Sequence, residues 1–168
     1  MWHQISDNLI EFAKHKAFDQ IENEDLLDLY RPMIQPLHDK MNPIKYAIVT
    51  VHVSRQFTDI EKAIEFLGEA KDRLKSVDAK FLCRIAQAEK RLRLGQHHDC
   101  IEQLNAIRAE TEPMADIDPR VYASLANVSA LYYRRREDYE NYYKSGLQCL
   151  HYTPDSELSP SEKLEFSI

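Results

Sequence analysis

The chain has 168 residues, of which 43% are hydrophobic and 30% charged, and its formal net charge is -6. That length fits one domain, and the balance of apolar and charged residues is typical of a folded chain rather than a disordered one. The negative net charge speaks against nucleic acid as the default partner, because phosphate binding needs an electropositive surface. The chain has three glycines and is rich in residues that favour helices, so the composition predicts an all-α fold.

The cysteines and the hydropathy of the chain indicate in which cellular compartment the protein functions. The chain has three cysteines, Cys83, Cys100 and Cys149. Their number is odd and they form no CxxC pair, so no disulfide framework is predicted. No run of about 18 apolar residues is present, so we predict no membrane span. The first residues lack the basic and then apolar layout of a signal peptide. We therefore expect an intracellular protein.

Apolar residues recur at intervals of three and four through most of the chain, which predicts amphipathic helices. The first helix is expected over residues 2–12. A second, over residues 26–37, contains Pro32 and Pro36 and should be bent or split, because proline removes a helical hydrogen bond. Asn42 followed by proline begins a third helix, which we predict to face the core through Ile44, Ile48 and Val51.

The predicted fourth helix begins with a capping box formed by Thr58 and Glu61. Its apolar residues are Ile60, Ala63, Ile64, Leu67 and Leu74. Ser76 or Asp78 caps the fifth helix, and Gly95 ends it in a left-handed conformation. The inward residues of this fifth helix are Phe81, Ile85, Ala88 and Leu92.

Three more helices and the start of a ninth follow. The sixth starts near Gln96, the seventh at Asp118, and the eighth near Tyr139, while Ser159 caps the ninth with Glu162 three residues later. The predicted apolar residues are Cys100, Ile101, Leu104 and Ile107 in the sixth helix, Tyr122, Leu125, Val128 and Tyr132 in the seventh, and Tyr139, Tyr143, Leu147 and Leu150 in the eighth.

Short connections predict antiparallel helix pairs. The segment "IEKAIEFL" from Ile60 aligns with "HHDCIEQL" from His97 at a spacing of 37 residues, close to the period of tetratricopeptide (TPR) repeats. We therefore predict a right-handed, TPR-like α-solenoid of eight to nine helices, forming one arm over residues 1–168. Because the ninth helix is cut short and a repeat stack needs its next unit, we expect the polypeptide to continue beyond Ile168. Because no capping residue precedes Trp2, we also expect further residues upstream of it.

No catalytic constellation is found in the sequence. His97, His98 and Cys100 resemble part of a zinc site, but they lack a second ligand pair, and adjacent histidines point to different helix faces. His52 is interpreted as a packed or solvated helix residue. Glycine-rich phosphate loops and hydrolase or kinase motifs are missing. We predict a protein that is not an enzyme, with no cofactor, no metal and no small-molecule substrate.

Five tyrosines surround three consecutive arginines near the end of the predicted seventh helix. They are Tyr132, Tyr133, Tyr139, Tyr142 and Tyr143, around Arg134, Arg135 and Arg136. We interpret Tyr132, Tyr139 and Tyr143 as members of a buried stripe, because tyrosine fills space in a core and keeps its hydroxyl at the rim. A protein interface, or stacking on RNA bases, is the alternative interpretation.

Two charged segments are candidate partner contacts. The first is acidic and contains no basic residue: Asp19, Glu22, Glu24, Asp25 and Asp28. The second is the basic face of the predicted fifth helix, which we expect to point away from the core: Lys80, Arg84, Lys90, Arg91 and Arg93. Complementary charge on a neighbouring protein would use such segments, although solvated helix faces also look like this.

Several ordered runs resemble the family of the 26S proteasome lid subunit called non-ATPase regulatory subunit thirteen. The runs are "WHQISDNLIEF" from Trp2, "LY" at Leu29, "MNP" at Met41, "VHVSRQFTD" from Val51, "AIEFL" from Ala63, "LKSVDAKFLC" from Leu74 and "NYYKSGLQCL" from Asn141. They occur in the family's order over almost the whole chain. Pro32 and Pro36 depart from the family's second helix.

The resemblance implies a TPR-like N-terminal arm of a non-catalytic scaffold, normally followed by a PCI domain and winged helix. It implies other lid subunits and the ubiquitin-receptor subunit as partners, and a place in ubiquitin-dependent protein degradation in the cytoplasm and nucleus. No nucleic acid or membrane partner is implied. The alternatives are the arm of another PCI complex, either the signalosome or a translation initiation factor, and a free-standing TPR-like adaptor.

Overall fold

The structure, a computed structural model, describes residues 34–153 together with residues 30–32 and positions 4, 7 and 8. Its regular secondary structure within these residues is helical throughout, so the all-α prediction is confirmed. The predicted first and ninth helices lie outside the described residues, apart from those three positions. The chain divides into two compact units, one up to Leu94 and one from Gly95 onward.

In the described part of the first unit, the α-helices with defined bounds are α1 (Pro43–Arg55), α2 (Ile60–Arg73) and α3 (Val77–Arg93), and they pack on one another. The second contains α4 (His97–Thr111), α5 (Pro119–Arg135) and α6 (Tyr139–Tyr152). Within it α5 packs on both α4 and α6. These six helices correspond to the third to eighth helices expected from the sequence. Packed neighbours joined by short loops are consistent with an α-solenoid, while its right-handedness stays a prediction.

The proline-rich segment before α1 is split, as predicted. Tyr30 to Pro32 are helical, and the Ile34 amide donates to the Tyr30 carbonyl over 2.9 Å. A separate 3-10 turn then runs over Gln35–Leu37 with Pro36 in its first turn. Proline fits there because the first amides of a helix have no intrahelical acceptor in any case. Met41 follows, and its side chain is buried.

Helix α1 begins where the sequence predicted but faces the core differently. The Asn42 side chain accepts from the amides of Ile44, at 2.9 Å, and Lys45, at 3.3 Å. The prediction that Ile44, Ile48 and Val51 point inward is wrong, since all three are only half-buried. The buried residues are Tyr46, Ala47, Val49, Thr50, Val53 and Ser54. The helix carries apolar residues on every side, so their spacing could not show which side is buried.

A hydrogen-bonded cluster fixes α1 in the core of the first unit. The Tyr30 hydroxyl donates to the Tyr46 hydroxyl over 2.7 Å and lies 2.9 Å from the Thr50 hydroxyl. Thr50 itself donates to the Tyr46 carbonyl over 2.9 Å. The Tyr30 ring also meets Phe66 of α2 edge-on, at 4.8 Å between centroids. Burial raises the pKa values of both tyrosines, so these hydroxyls stay protonated.

The start of α2 differs from the predicted capping box by one residue. Asp59 is the N-cap, and its carboxylate accepts from the amides of Glu61, at 3.0 Å, and Lys62, at 3.3 Å. Thr58 precedes the cap. An aspartate at this position satisfies two free amides and places negative charge at the positive end of the helix dipole.

The predictions for the N-cap, the inward apolar residues and the end of α3 are confirmed. Ser76 is its N-cap and accepts from the Ala79 amide over 3.4 Å. All four predicted inward residues are buried: Phe81, Ile85, Ala88 and Leu92. Gly95 follows with φ +80°, the left-handed conformation expected after a helix end.

In the second unit, α4 and α5 meet through a buried row and a polar bridge. Cys100, Leu104 and Ile107 of α4 are fully buried. The Arg108 guanidinium donates to the Ser129 hydroxyl of α5 over 2.5 Å. Asp118 caps α5, as predicted, by accepting from the Arg120 amide over 2.9 Å.

The turn between α5 and α6 is a Schellman motif without glycine. The Asp138 amide donates to the Tyr133 carbonyl over 3.0 Å, and the Glu137 amide donates to the Arg134 carbonyl over 3.2 Å. Glu137 has φ 58° and is the sole non-glycine with positive φ in the described chain. This tight reversal makes α5 and α6 antiparallel, so that Tyr122 of α5 stacks on Tyr152 of α6 at 5.1 Å.

Candidate interaction surfaces

The predicted basic surface on α3 is not one continuous face. At about 100° per residue, Lys80, Arg84 and Arg91 share one side of the helix, whereas Lys90 and Arg93 lie on other sides. The side chains of the first three residues are half-buried, and the Arg84 guanidinium lies 5.6 Å from the centre of the Phe81 ring. Arg93 is exposed.

The prediction that Lys90 points away from the core is wrong. Only 2% of this residue is exposed. Removal from water, together with the positive charges of Arg93 and Arg55, lowers the pKa of Lys90 to about 8, while the negative charge of Glu89 acts in the opposite direction. The sequence suggested an exposed position because lysine is charged. The long aliphatic part of a lysine side chain can nevertheless be buried against apolar residues.

An ion-pair cluster that the sequence pattern did not predict lies beside Lys90. The Glu89 carboxylate lies 3.1 Å from the Arg93 guanidinium and 3.8 Å from that of Arg55 in α1. Glu89 is buried, so these contacts tie the end of α1 to the end of α3 with little water around the carboxylate. The spacing of four between Glu89 and Arg93 was the available signal. The contribution of Arg55 could not be predicted without the fold.

The acidic candidate segment lies outside the described residues. Its members, Asp19, Glu22, Glu24, Asp25 and Asp28, therefore stay a prediction from the sequence.

Helix α6 contradicts the interpretation of its tyrosines as a buried stripe. Tyr139 is 66% exposed and Tyr143 59%, and Leu147, on the same side, is 48% exposed. The buried side of α6 consists instead of small residues, Ser145, Gly146 and Cys149, which let it pack closely on α5. Tyr132 of α5 is half-buried and meets His97 edge-on at 6.4 Å. The spacing of the tyrosines correctly predicted a helix, but the prediction that Tyr139 and Tyr143 are buried was wrong.

The structure separates the residues that resembled a metal site. His97 lies against Tyr132, whereas His98 is exposed and lies 3.4 Å from Glu102. Cys100 is fully buried. In the described part of the chain, no three residues of the metal-binding types come together.

The three cysteines are free thiols in buried positions. Burial raises the pKa of Cys83 to about 12, so this thiol is protonated and unreactive near neutral pH. Among the helices that the structure describes, none is long and apolar enough to cross a membrane.

Comparison with known proteins shows to which family the chain belongs. A family model described as PSD13 N-terminal repeats matches residues 1–168, the whole chain. This chain belongs to the PSD13 N-terminal repeat family. The family resemblance drawn from the ordered sequence runs is thereby confirmed.

The relatives of this PSD13 repeat chain are proteasome proteins by name. It is 30% identical to 26S proteasome non-ATPase regulatory subunit 13 homolog A of Arabidopsis thaliana over 174 residues, and equally to homolog B. It is 23% identical to 26S proteasome non-ATPase regulatory subunit 13 of Dictyostelium discoideum over 167 residues. The alignments cover 97–100% of this chain but only 43–45% of each relative. The chain thus spans less than half the length of the curated relatives it matches.

Proposed function

We propose that this chain is the helical arm of a lid subunit of the 26S proteasome regulatory particle, and that it acts as a non-catalytic scaffold. The observation that carries the proposal is the family match over all 168 residues. The names of the relatives, non-ATPase regulatory subunits, support a structural role rather than a catalytic one.

The scaffold function rests on stiffness. Side-chain caps at Asn42, Ser76 and Asp118 set where helices begin, and the buried rows within each unit hold the helices of that unit in fixed positions. A packed helical array can present a surface to a neighbour without losing much conformational entropy on binding. Its partners would be other lid subunits and the ubiquitin-receptor subunit, in the cytoplasm and the nucleus, and its process would be ubiquitin-dependent protein degradation.

The basic side of α3 and the acidic segment at residues 19–28 are the proposed contact surfaces. On α3 the candidates are Lys80, Arg84 and Arg91, which share one side of the helix, and Arg93, which is exposed on another side. Burial removes Lys90 from the surface that a partner could touch. Charges in such positions mainly set which partner docks and how fast it associates.

Affinity purification of the tagged full-length protein from its own cells tests the scaffold proposal. We expect the other subunits of the proteasome regulatory particle to co-purify in constant ratio. Recovery of signalosome or translation initiation factor subunits instead would replace the proposal with that alternative. Recovery of the chain alone would contradict both.

Neutralising charge on α3 tests the contact surface separately. We expect a variant with Lys80→Gln, Arg84→Gln and Arg91→Gln to recover about tenfold less of the neighbouring lid subunit at physiological salt. The matched control carries Lys62→Gln, Arg73→Gln and Lys75→Gln, which remove the same charge from α2 and the loop after it, where all three residues are exposed. Circular dichroism and thermal melts of both variants check that folding is intact. Equal recovery from both would remove α3 as a contact surface but leave the family assignment unaffected.

A further inference from the structure

The turn from α5 into α6 presents a tyrosine among acidic residues. Tyr139 is the first residue of α6, and 66% of it is exposed. Glu137 and Asp138 precede it and Glu140 follows it, so three carboxylates lie within two positions of this tyrosine. Both glutamates are exposed. A protein that binds this turn therefore meets an accessible phenol in acidic surroundings.

Hydrogen bonds hold this acidic segment in a defined conformation. Asp138 is the N-cap of α6, and its carboxylate accepts from the Asn141 side-chain amide over 2.7 Å and from the Asn141 backbone amide over 3.2 Å. These bonds lower the pKa of Asp138, so its carboxylate is ionised at neutral pH. Glu137 is held in the left-handed conformation that reverses the chain. The negative charge before Tyr139 is thus a fixed part of the turn.

Tyr139 differs from the other tyrosines that the structure describes. Tyr143 is also exposed, at 59%, but no acidic residue lies within two positions of it, and Lys144 follows it directly. The remaining described tyrosines are buried or half-buried: Tyr30, Tyr46, Tyr122, Tyr132, Tyr133, Tyr142 and Tyr152. Exposure and acidic neighbours on both sides therefore coincide at Tyr139.

Three exposed arginines lie on the other side of the same turn. They end α5 and precede Tyr139 by three to five positions: Arg134, Arg135 and Arg136. The Asp138 amide donates to the Tyr133 carbonyl over 3.0 Å, which keeps the end of α5 next to the start of α6. Guanidinium groups bind phosphate through paired, charge-assisted hydrogen bonds. An arginine cluster beside a tyrosine is consequently suited to hold a phosphate on that tyrosine.

We propose that Tyr139 is a phosphorylation site for a tyrosine kinase, and that the arginines at the end of α5 bind the phosphate. The kinase transfers the γ-phosphoryl group of ATP to the phenolic oxygen, which loses its proton, and ADP leaves. Kinases select substrates partly by charge, and the carboxylates beside Tyr139 complement an enzyme with a basic substrate groove. This modification does not depend on the function proposed above.

Phosphorylation would change what this turn offers to a partner. The phosphate adds about 1.5 to 2 negative charges at neutral pH. It enters at the amino end of α6, where the helix dipole favours negative charge. The arginines would then be paired with the phosphate, so a protein that recognises the unmodified turn through its arginines would bind the modified turn less well.

Phosphorylation of the folded protein in vitro tests the acceptor. The purified protein is incubated with ATP, Mg²⁺ and a cytoplasmic tyrosine kinase that prefers acidic substrates, and mass spectrometry follows each tyrosine over time. We expect Tyr139 to be modified at least about tenfold faster than the similarly exposed Tyr143, because only Tyr139 has the complementary charge. The fully buried Tyr46 should stay unmodified.

Three results of this experiment would overturn the proposal. One is the absence of phosphate at Tyr139, and another is a similar rate at Tyr139 and Tyr143. The third is modification of Tyr46 together with Tyr139, which would mean that the kinase acts on the unfolded chain. The full-length protein, purified from its own cells with tyrosine phosphatases inhibited, should carry phosphate at Tyr139. Its absence there would also overturn the proposal.

A pair of variants tests whether the acidic neighbours are recognised. We expect Glu137→Gln with Glu140→Gln to slow the phosphorylation of Tyr139 about fivefold, because two of the three carboxylates are removed. The matched control, Glu61→Gln with Glu65→Gln, removes the same charge from exposed positions on α2 and should not slow it. Equal rates for the two variants would contradict recognition of the acidic neighbours.

Phosphorus NMR of the phosphorylated protein tests the arginines. Nearby positive charge favours the doubly charged phosphate and so lowers the pH at which it titrates. We expect Arg134→Gln with Arg136→Gln to raise the midpoint of this titration by about half a pH unit. The control Lys62→Gln with Arg73→Gln, on the exposed side of α2, should leave the midpoint unchanged. An unchanged midpoint in the first variant would show that these arginines do not bind the phosphate.

Discussion

The two units use the same sequence pattern with different results. In α3 of the first unit, apolar residues at spacings of three and four are buried in a closed core. In α6 of the second unit, the same spacing produces a stripe that faces outward. A helical period therefore shows that a helix has an apolar side, but only the neighbouring helices determine whether that side is covered.

Truncating one large apolar side chain in each unit should give the largest contrast. We expect Phe81→Ala to lower the free energy of unfolding by about 3–5 kcal/mol, because it leaves a cavity in a closed core. Tyr143→Ala removes a side chain that is mostly exposed, so its cost should stay under about 1 kcal/mol. Urea denaturation followed by circular dichroism measures both. Equal losses of unfolding free energy in the two variants would contradict the distinction between the closed core around α3 and the exposed apolar side of α6.

Replacing a buried and an exposed lysine should give an effect of intermediate size. The folded-state pKa of Lys90, about 8, lies below the ordinary lysine value of 10.5. Between about pH 8 and 10.5 the unfolded chain consequently binds more protons at this residue, and stability should rise with pH. Below pH 8 the burial of the charged lysine is fully unfavourable. We therefore expect Lys90→Met to stabilise the protein at pH 7 by about 1–3 kcal/mol.

Lys144→Met is the matched control for the lysine prediction. This exposed residue pairs with Glu140 on the surface of α6. Its replacement should change stability little at any pH. The measurement is the free energy of unfolding of the wild type and both variants at intervals from pH 7 to pH 10. A wild-type curve parallel to that of Lys90→Met would contradict the assignment of the pH dependence to Lys90.

Removing one hydroxyl in each unit should give the smallest contrast. Tyr46→Phe deletes one of the two hydroxyl partners of the buried Tyr30 hydroxyl and leaves Thr50, and we expect a loss of about 1–2 kcal/mol. Tyr143→Phe deletes an exposed hydroxyl that water replaces, so the change should be near zero. Thermal melts of the two variants at neutral pH make the comparison. If Tyr46→Phe proved neutral, the tyrosine cluster would contribute packing rather than hydrogen bonding.

Helix starts were the features most readily predicted from the sequence. Asn42, Ser76 and Asp118 cap helices where expected, because capping depends on a side chain reaching an amide two or three residues away. Gly95 was predictable for a similarly local reason. The error at Thr58 and Asp59 arose because both residue types can cap, and the sequence offered them side by side.

Burial was harder to predict because it depends on distant parts of the chain. The predicted inward face of α1 was wrong because this helix carries apolar residues on every side. The contact of Tyr30 with Tyr46 and Thr50 selects the side that is buried. The burial of Lys90 and the pairing of Glu89 with Arg55 likewise depend on how α1 lies against α3. Charge spacing alone therefore assigned Lys90 to a contact surface from which burial removes it.

The glutamate in the turn between α5 and α6 offers a route to a more robust protein. Glu137 holds a left-handed backbone conformation that is unfavourable for a residue with a Cβ atom, while Gly95 occupies the corresponding conformation after α3 without that cost. The hairpin of α5 and α6 must therefore compensate a local backbone penalty through its side-chain contacts. Glycine or asparagine at this exposed position would relieve that penalty, which makes it a natural choice for thermostabilising the second unit.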